Sequence, residues 1–213
     1  GTMGTNNGSI TITGSGTAVY VESGASFTNN NIISFDSTKS GACNGGSGSF
    51  GGTGECDDAS AKEEETEEGA EVASVATLLE LNNGASFVNK GIVNFDDREI
   101  DFSDRAEDTS YVIGKGGSYK ANSFKGEVLA SKDIVMGGFE DSYKNEDSFV
   151  GENNGLSIKS QSYMFDAKIN NNKDVSDVEL NRKSFEELVE EKDLGEFFEM
   201  NYNIRENKKI TTR

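Results

Sequence analysis

Gly84-Ala85-Ser86-Phe87-Val88-Asn89-Lys90-Gly91-Ile92-Val93-Asn94-Phe95-Asp96 has a near copy upstream, Gly24-Ala25-Ser26-Phe27-Thr28-Asn29-Asn30-Asn31-Ile32-Ile33-Ser34-Phe35-Asp36. From Gly24 to Gly84 the offset is 60 residues, and Gly, Ala, Ser, Phe, Asn, Ile, Phe and Asp recur in register. A weaker third version begins at Gly116, reading Gly-Gly-Ser-Tyr-Lys-Ala-Asn-Ser-Phe. Self-similarity on this scale points to a repeat architecture.

Each copy has its own local logic. Ser86-Phe87-Val88 reads as a short strand and Ile92-Val93-Asn94-Phe95 as a second. Asn89-Lys90-Gly91 between them is a turn signal, since Asn and Gly both tolerate left-handed backbone. Two strands and a polar turn in about a dozen residues leave no room for an αβ unit. The fold class is therefore all-β, as a parallel solenoid or, in the alternative, as homologous hairpins in a sandwich. The repeat favours the solenoid, in which coils stack at roughly 4.8 Å and equivalent side chains form ladders. Phe27, Ile32 and Phe35, with Phe87, Ile92 and Phe95, are the expected core of the two copies.

Composition narrows the chemistry. The 213 residues carry a formal net charge of −18, from 38 acidic and 20 basic side chains, and include no His, Pro or Trp. Such a charge repels phosphate backbones and anionic membranes, so nucleic acid is not an expected partner. Lack of His removes the commonest general base and metal ligand. No cofactor, metal or catalytic constellation is expected. The start, Gly1-Thr2-Met3, is not a signal peptide, and the chain is expected to be a mature piece or an excerpt. Cys43 and Cys56 share one Gly/Ser-rich stretch. In an exported protein they read as a local disulfide; a free pair is the alternative.

Along the chain, Ser9–Thr13 alternates and Ala18–Val21 is a further strand. Residues 37–70 form a Gly/Ser/Glu-rich insertion ending in Glu63–Glu68, expected to be a solvated loop. Asp96–Asp108 is acidic without the spacing of a calcium loop. Beyond Lys125 the Asn/Gly pattern gives way to Lys/Glu-rich hairpins at Ile134–Met136, Ser148–Val150, Leu156–Ile158 and Tyr163–Ile169, with a turn at Asn170–Lys173 and a last strand at Val175–Leu180. Helix signal comes only at the end. Ser184-Phe185-Glu186-Glu187 is a capping box, and Phe185, Leu188 and Val189 share a face. Asp193–Glu196 repeats the capping pattern, and Asn203–Arg213 is expected to fray.

The Gly-Ala-Ser-Phe-x-Asn-x-Gly repeat, followed by hairpins and by Val178-Glu179-Leu180-Asn181-Arg182-Lys183-Ser184-Phe185, resembles the end of the passenger of type V autotransporter adhesins, similar in style to the RadD-like adhesins of fusobacteria. The resemblance implies a right-handed parallel β-helix over 1–124, an autochaperone-like β-hairpin cap over 125–183, and one or two short helices within 184–213 leading toward a translocator β-barrel of the same polypeptide. It implies an exported, non-enzymatic protein at the bacterial cell surface or outer membrane. Adhesion and virulence, through an unidentified surface receptor or glycan, are the implied roles. Two rivals stand beside it. One is a carbohydrate-active β-helix enzyme, for which Asp96, Asp97, Asp101 and Arg98 are the compact candidates; the other is a purely structural spacer.

Overall fold

The computed structural model describes residues 1–12, 16–35, 76–135 and 142–210. Cys43, Cys56 and the 37–70 insertion lie outside these residues. Strands dominate: β1 (Met3–Asn6), β2 (Ser9–Ile12), β3 (Gly16–Val21), β4 (Ser26–Asn29), β5 (Ile32–Phe35), β6 (Ala76–Leu81), β7 (Ser86–Asn89), β8 (Ile92–Asp101), β9 (Ser110–Ile113), β10 (Ser118–Ala130), β11 (Ser142–Ser160), β12 (Phe165–Asn172) and β13 (Val175–Arg182). Two helices close the chain, α1 (Phe185–Leu188) and α2 (Lys192–Ile210). The all-β expectation holds at the level of class.

Three parallel ladders carry the first two-thirds of the chain. β1, β4, β7 and β9 form one, β2, β5, β8 and β10 a second, and β3 with β6 a third. Met3 lies against Ser26 and Ser9 against Ile32, an interval of 23 residues. Ser26 lies against Ser86 and Val19 against Leu79, an interval of 60. Ser86 lies against Ser110, an interval of 24. The interval of 60 thus joins strands in the same parallel pairing as the intervals of 23 and 24, with residues 36–75 of the sequence falling inside it. The third copy sits one strand earlier than its sequence suggested. Ser110-Tyr111 pairs with Ser86-Phe87, while Ser118-Tyr119 pairs with Ile92-Val93.

Alternation decides the core. Phe87 and Phe95 are buried, and Phe27 is half-buried with its ring stacked on Phe87 at 6.1 Å. Ile32 and Ile92 were expected inside, but they are exposed, at 37% and 45%; Ile33 and Val93 are buried instead. The reason is period: in a strand, residues three apart face opposite sides, so Phe95 inside sends Ile92 outside. Phe35 pairs through its backbone with Ile12, and its side chain is outside the described set. Farther along, Phe102 sits among Tyr111, Tyr119, Phe124 and Phe149, with ring centroids 5.2–6.5 Å away and all five fully buried.

At the ends of β1, β4 and β7 stand buried asparagines, and the first two each bond to the next one. Asn6 Nδ2 donates to Asn29 Oδ1 at 2.8 Å, and Asn29 Nδ2 donates to Asn89 Oδ1 at 3.0 Å. Each Oδ1 also accepts a backbone N–H two residues on, from Gly8, Asn31 and Gly91. The Asn89-Lys90-Gly91 turn does not use positive φ; a Cβ on Gly91 would lie 2.0 Å from the Asn31 carbonyl oxygen, so glycine serves close approach between rungs. Positive φ falls instead at Gly24 and Gly84, before the strands.

From β11 the pairing changes sense. β11 runs parallel to β10 from Phe149 to Ser160, yet antiparallel to β13 from Ser142 to Val150. β12 and β13 form an antiparallel hairpin turning at Lys173-Asp174. Ser148–Val150 and Leu156–Ile158 are thus parts of one strand rather than two hairpin arms. Lys132–Val135 is a 3-10 turn where a strand was expected, because Ser131 caps it by accepting the Asp133 N–H.

Because Asn29 satisfies five groups around it, Asn29→Leu is expected to lower stability by about 3 kcal/mol. Exposed Asn30→Leu should change it by less than about 0.5 kcal/mol. Urea unfolding of both variants checks this contrast.

Candidate functional site

Chemistry-bearing side chains lie in three places among the described residues. The first is the acidic stretch after the second repeat copy. Lys125 Nζ lies 2.6 Å from Glu99 and 3.3 Å from Asp101, and Ser123 Oγ donates to Glu99. Burial disfavours the Asp101 carboxylate, but hydrogen bonds from Ser103 and Lys125 outweigh it and hold the group below the usual carboxylate range. Arg98 points the other way: it is buried, with its guanidinium 5.4 Å from the Phe95 ring centroid. Strand alternation therefore separates Arg98 from Asp101, and the compact group expected of a carbohydrate-active enzyme is not assembled by these two residues. The side chains of Asp96 and Asp97 are not among those described. Among the described residues no group of three His, Cys, Asp or Glu side chains is placed to hold a metal ion.

The second place is a shallow depression of about 520 Å³ on the hairpin, lined by Ile158, Ser160, Tyr163, Phe165, Asp166 and Lys183. Tyr163 is 73% exposed, and Lys183 pairs with Asp166 at 3.0 Å. An aromatic face beside a few polar groups is a surface for weak binding.

The third is the junction of hairpin and helices, where the most specific geometry lies. Ser184 caps α1 as its sequence predicted. Its Oγ accepts the Glu187 N–H, and the Glu187 carboxylate accepts the Ser184 N–H at 2.8 Å. Phe185 and Leu188 are half-buried, and the Phe185 ring packs against Phe198 and Tyr202 of α2 at 5.9 and 6.0 Å. Arg182, at the end of β13, forms a bidentate pair with Glu199 of α2 at 2.6 and 3.3 Å. Its guanidinium lies 4.3 Å from the Tyr202 ring centroid and 5.7 Å from that of Phe185. Glu199 also accepts the Phe185 N–H at 2.9 Å. Gly195 permits this docking: a Cβ there would lie 2.8 Å from the Glu186 Cα.

Sequence reasoning reached Ser184, Phe185 and Leu188; it held Arg182 as part of the segment before Ser184 and Tyr202 as a following aromatic, without joining them to each other or to Glu199. α2 begins at Lys192, with Glu191 as its cap, so Asp193 lies inside its first turn rather than capping it. The expected frayed tail is helical to Ile210. Leu194, Phe197, Met200 and Ile204 are exposed, and Leu194, Phe197 and Ile204 fall on one side of the helix. No helix among the described residues is long and apolar enough to cross a membrane.

No known protein family, curated protein or solved structure matches this chain.

The Arg182 hydrogen bonds, with the Phe185 amide adding and burial opposing, hold Glu199 below its usual pKa of 4.5. A depressed folded-state pKa means that the latch contributes above the unfolded value and is lost as pH falls through the folded one. Acidification should therefore lower the protection factors of the α2 amides, taken against the intrinsic exchange rate at each pH, before it affects those of β7. Glu199→Gln should reproduce that loosening at neutral pH, as read by hydrogen exchange.

Proposed function

We propose that the chain is a stem-and-cap segment of an exported bacterial surface adhesin of the autotransporter type. Residues 1–124 form a right-handed parallel β-helix, 125–183 an autochaperone-like cap, and 184–213 a helical lead toward a translocator barrel. The observation that carries this reading is the change in strand pairing at β11. Upstream, three ladders pair in parallel throughout; downstream, the antiparallel β12–β13 hairpin joins β11 through β13. A stack of rungs has open ends with unpaired backbone groups and needs such a cover. Right-handedness follows the general rule for parallel crossovers.

Folding then starts at the capped end. Val178 and Leu180 of the hairpin are fully buried, and Phe149 joins the aromatic group around Phe102. The cap thus shares one apolar core with the last rungs and templates those upstream by nearest-neighbour pairing. Adhesion uses shape and exposed side chains rather than chemistry. Support for a non-enzymatic role comes from the carboxylates Glu99 and Asp101, which are engaged by Lys125 and Ser103. Receptor or glycan contact falls on outward surfaces such as that around Tyr163, at the cell surface or outer membrane.

Removing the hairpin part of the cap, with the helices, tests the proposal. A chain ending at Gln161 lacks the hairpin and helices but keeps every parallel ladder. It should lose cooperative thermal unfolding and the amide protection of β4 and β7. A truncated chain that melts like the parent overturns the folding role.

A further inference from the structure

The asparagine ladder has a direction. Asn6 and Asn29 each donate a carboxamide N–H onward to the next rung, and Asn29 and Asn89 each accept from the rung before. Asn89 is the last member, since Ile113 stands opposite it in β9, and its Nδ2 turns to the Ser118 carbonyl at 2.8 Å. Asn6 is the first. Its Oδ1 accepts the Gly8 N–H at 3.0 Å, and the second lone pair, which takes an asparagine N–H at Asn29 and Asn89, has no donor among the described residues. Asn6 is nonetheless only 7% exposed. Beside it, among the described residues, β1, β2 and β3 each pair with one strand, β4, β5 and β6 respectively. Gly4 stands where the other rungs place Phe27, Phe87 and Tyr111, and Phe27 is left half-buried.

We propose that this end is a docking surface for a parallel strand–turn–strand segment that carries an asparagine opposite Asn6. The incoming Nδ2 donates to Asn6 Oδ1, its backbone completes β1 and β2, and an apolar side chain reaches over Gly4 to cover Phe27. The occupant is a further rung of the chain's own pattern, of the kind Ser26-Phe27-Thr28-Asn29-Asn30-Asn31-Ile32 displays. A second copy of this chain does not fit. Two copies meeting end to end about a twofold axis bring one Asn6 acceptor against another. In head-to-tail stacking the incoming end is the antiparallel β12–β13 hairpin, and Asn145 of β11 already donates back to the Gly117 carbonyl at 3.1 Å. A buried acceptor with a second lone pair open to a donor favours a donor there, so hydrogen-bond polarity fixes both the partner's residue and its direction.

The inference rests on the stacked-rung reading, and one experiment separates the two. A tandem copy of residues 1–23, one rung interval, carrying Gly4→Phe within the copy alone, is fused ahead of Gly1, and amide hydrogen exchange is compared with that of the full chain. The added copy should become protected, and exchange in Met3–Asn6 and Ser9–Ile12 should slow by about tenfold or more. A fusion with leucine at the copy's ladder position should lose this gain. If the added copy exchanges like free peptide while β4 and β7 stay protected, the docking surface is overturned. Equal protection with leucine overturns the role of the asparagine. If β4 and β7 of the parent are themselves unprotected, the stacked reading fails instead.

Discussion

Everything upstream of β10 depends on buried carboxamides being satisfied in only one alignment. Asn29 lies fully inside the body and makes its bonds to Asn6, Asn31, Asn89 and the Ile92 carbonyl together. A parallel ladder of short strands is otherwise prone to slip, because backbone bonds repeat along it and a Val or Ile fits many positions. A slip of one residue would leave several buried polar groups unpaired, at about 1–3 kcal/mol each. The carboxamides therefore fix register, while the apolar column of Phe87, Val93, Phe95, Leu79 and Leu81 supplies the driving force.

Where the ladder stops, another device takes over. Ile113 replaces asparagine in β9, and from there the interior fills with rings: Phe102, Tyr111, Tyr119, Phe124 and Phe149. Large aromatics with edge and stacked contacts specify their neighbours by shape. They tolerate the irregular register of β10 and β11, which shifts between Lys120 and Ser123 and again between Phe124 and Gly126. A regular polar ladder could not follow those shifts. The change from carboxamides to rings thus comes one strand before the last parallel pairing, β10 with β11, gives way to the antiparallel β12–β13 hairpin.

The sequence displayed the repeat at Gly24 and Gly84 because those copies keep the whole Gly-Ala-Ser-Phe-x-Asn pattern. It hid the first rung, where Gly4 replaces the aromatic, and misplaced the rung at β9, because Ser-Tyr occurs both at Ser110-Tyr111 and at Ser118-Tyr119. Only backbone pairing tells those two apart. Ile92 was misjudged because a hydrophobic residue at a strand's edge carries no mark of parity until a neighbour fixes it. The Ser184 capping box was legible, being a bond between residues three apart. The Arg182–Glu199 pair was not, since its partners are 17 residues apart and meet only when α2 folds back.

That fold-back sets α2 apart from the rest of the body. The rungs are held by a continuous apolar column, whereas α2 is held through one guanidinium, one carboxylate and the rings of Phe185 and Tyr202. The pair is mostly shielded, with side-chain exposures of 11% and 19%, so its attraction is stronger than that of a surface ion pair. The polar anchoring of α2 nonetheless converges on one carboxylate, Glu199, which takes Arg182 and the Phe185 N–H, and Phe197, Met200 and Ile204 on the same helix remain exposed. A helix that turns apolar side chains to solvent and docks through charge gains little by staying and loses little by leaving. Local stability therefore falls from the stacked rungs to the C-terminal helix, and α2 is the element that can detach while the rungs remain whole.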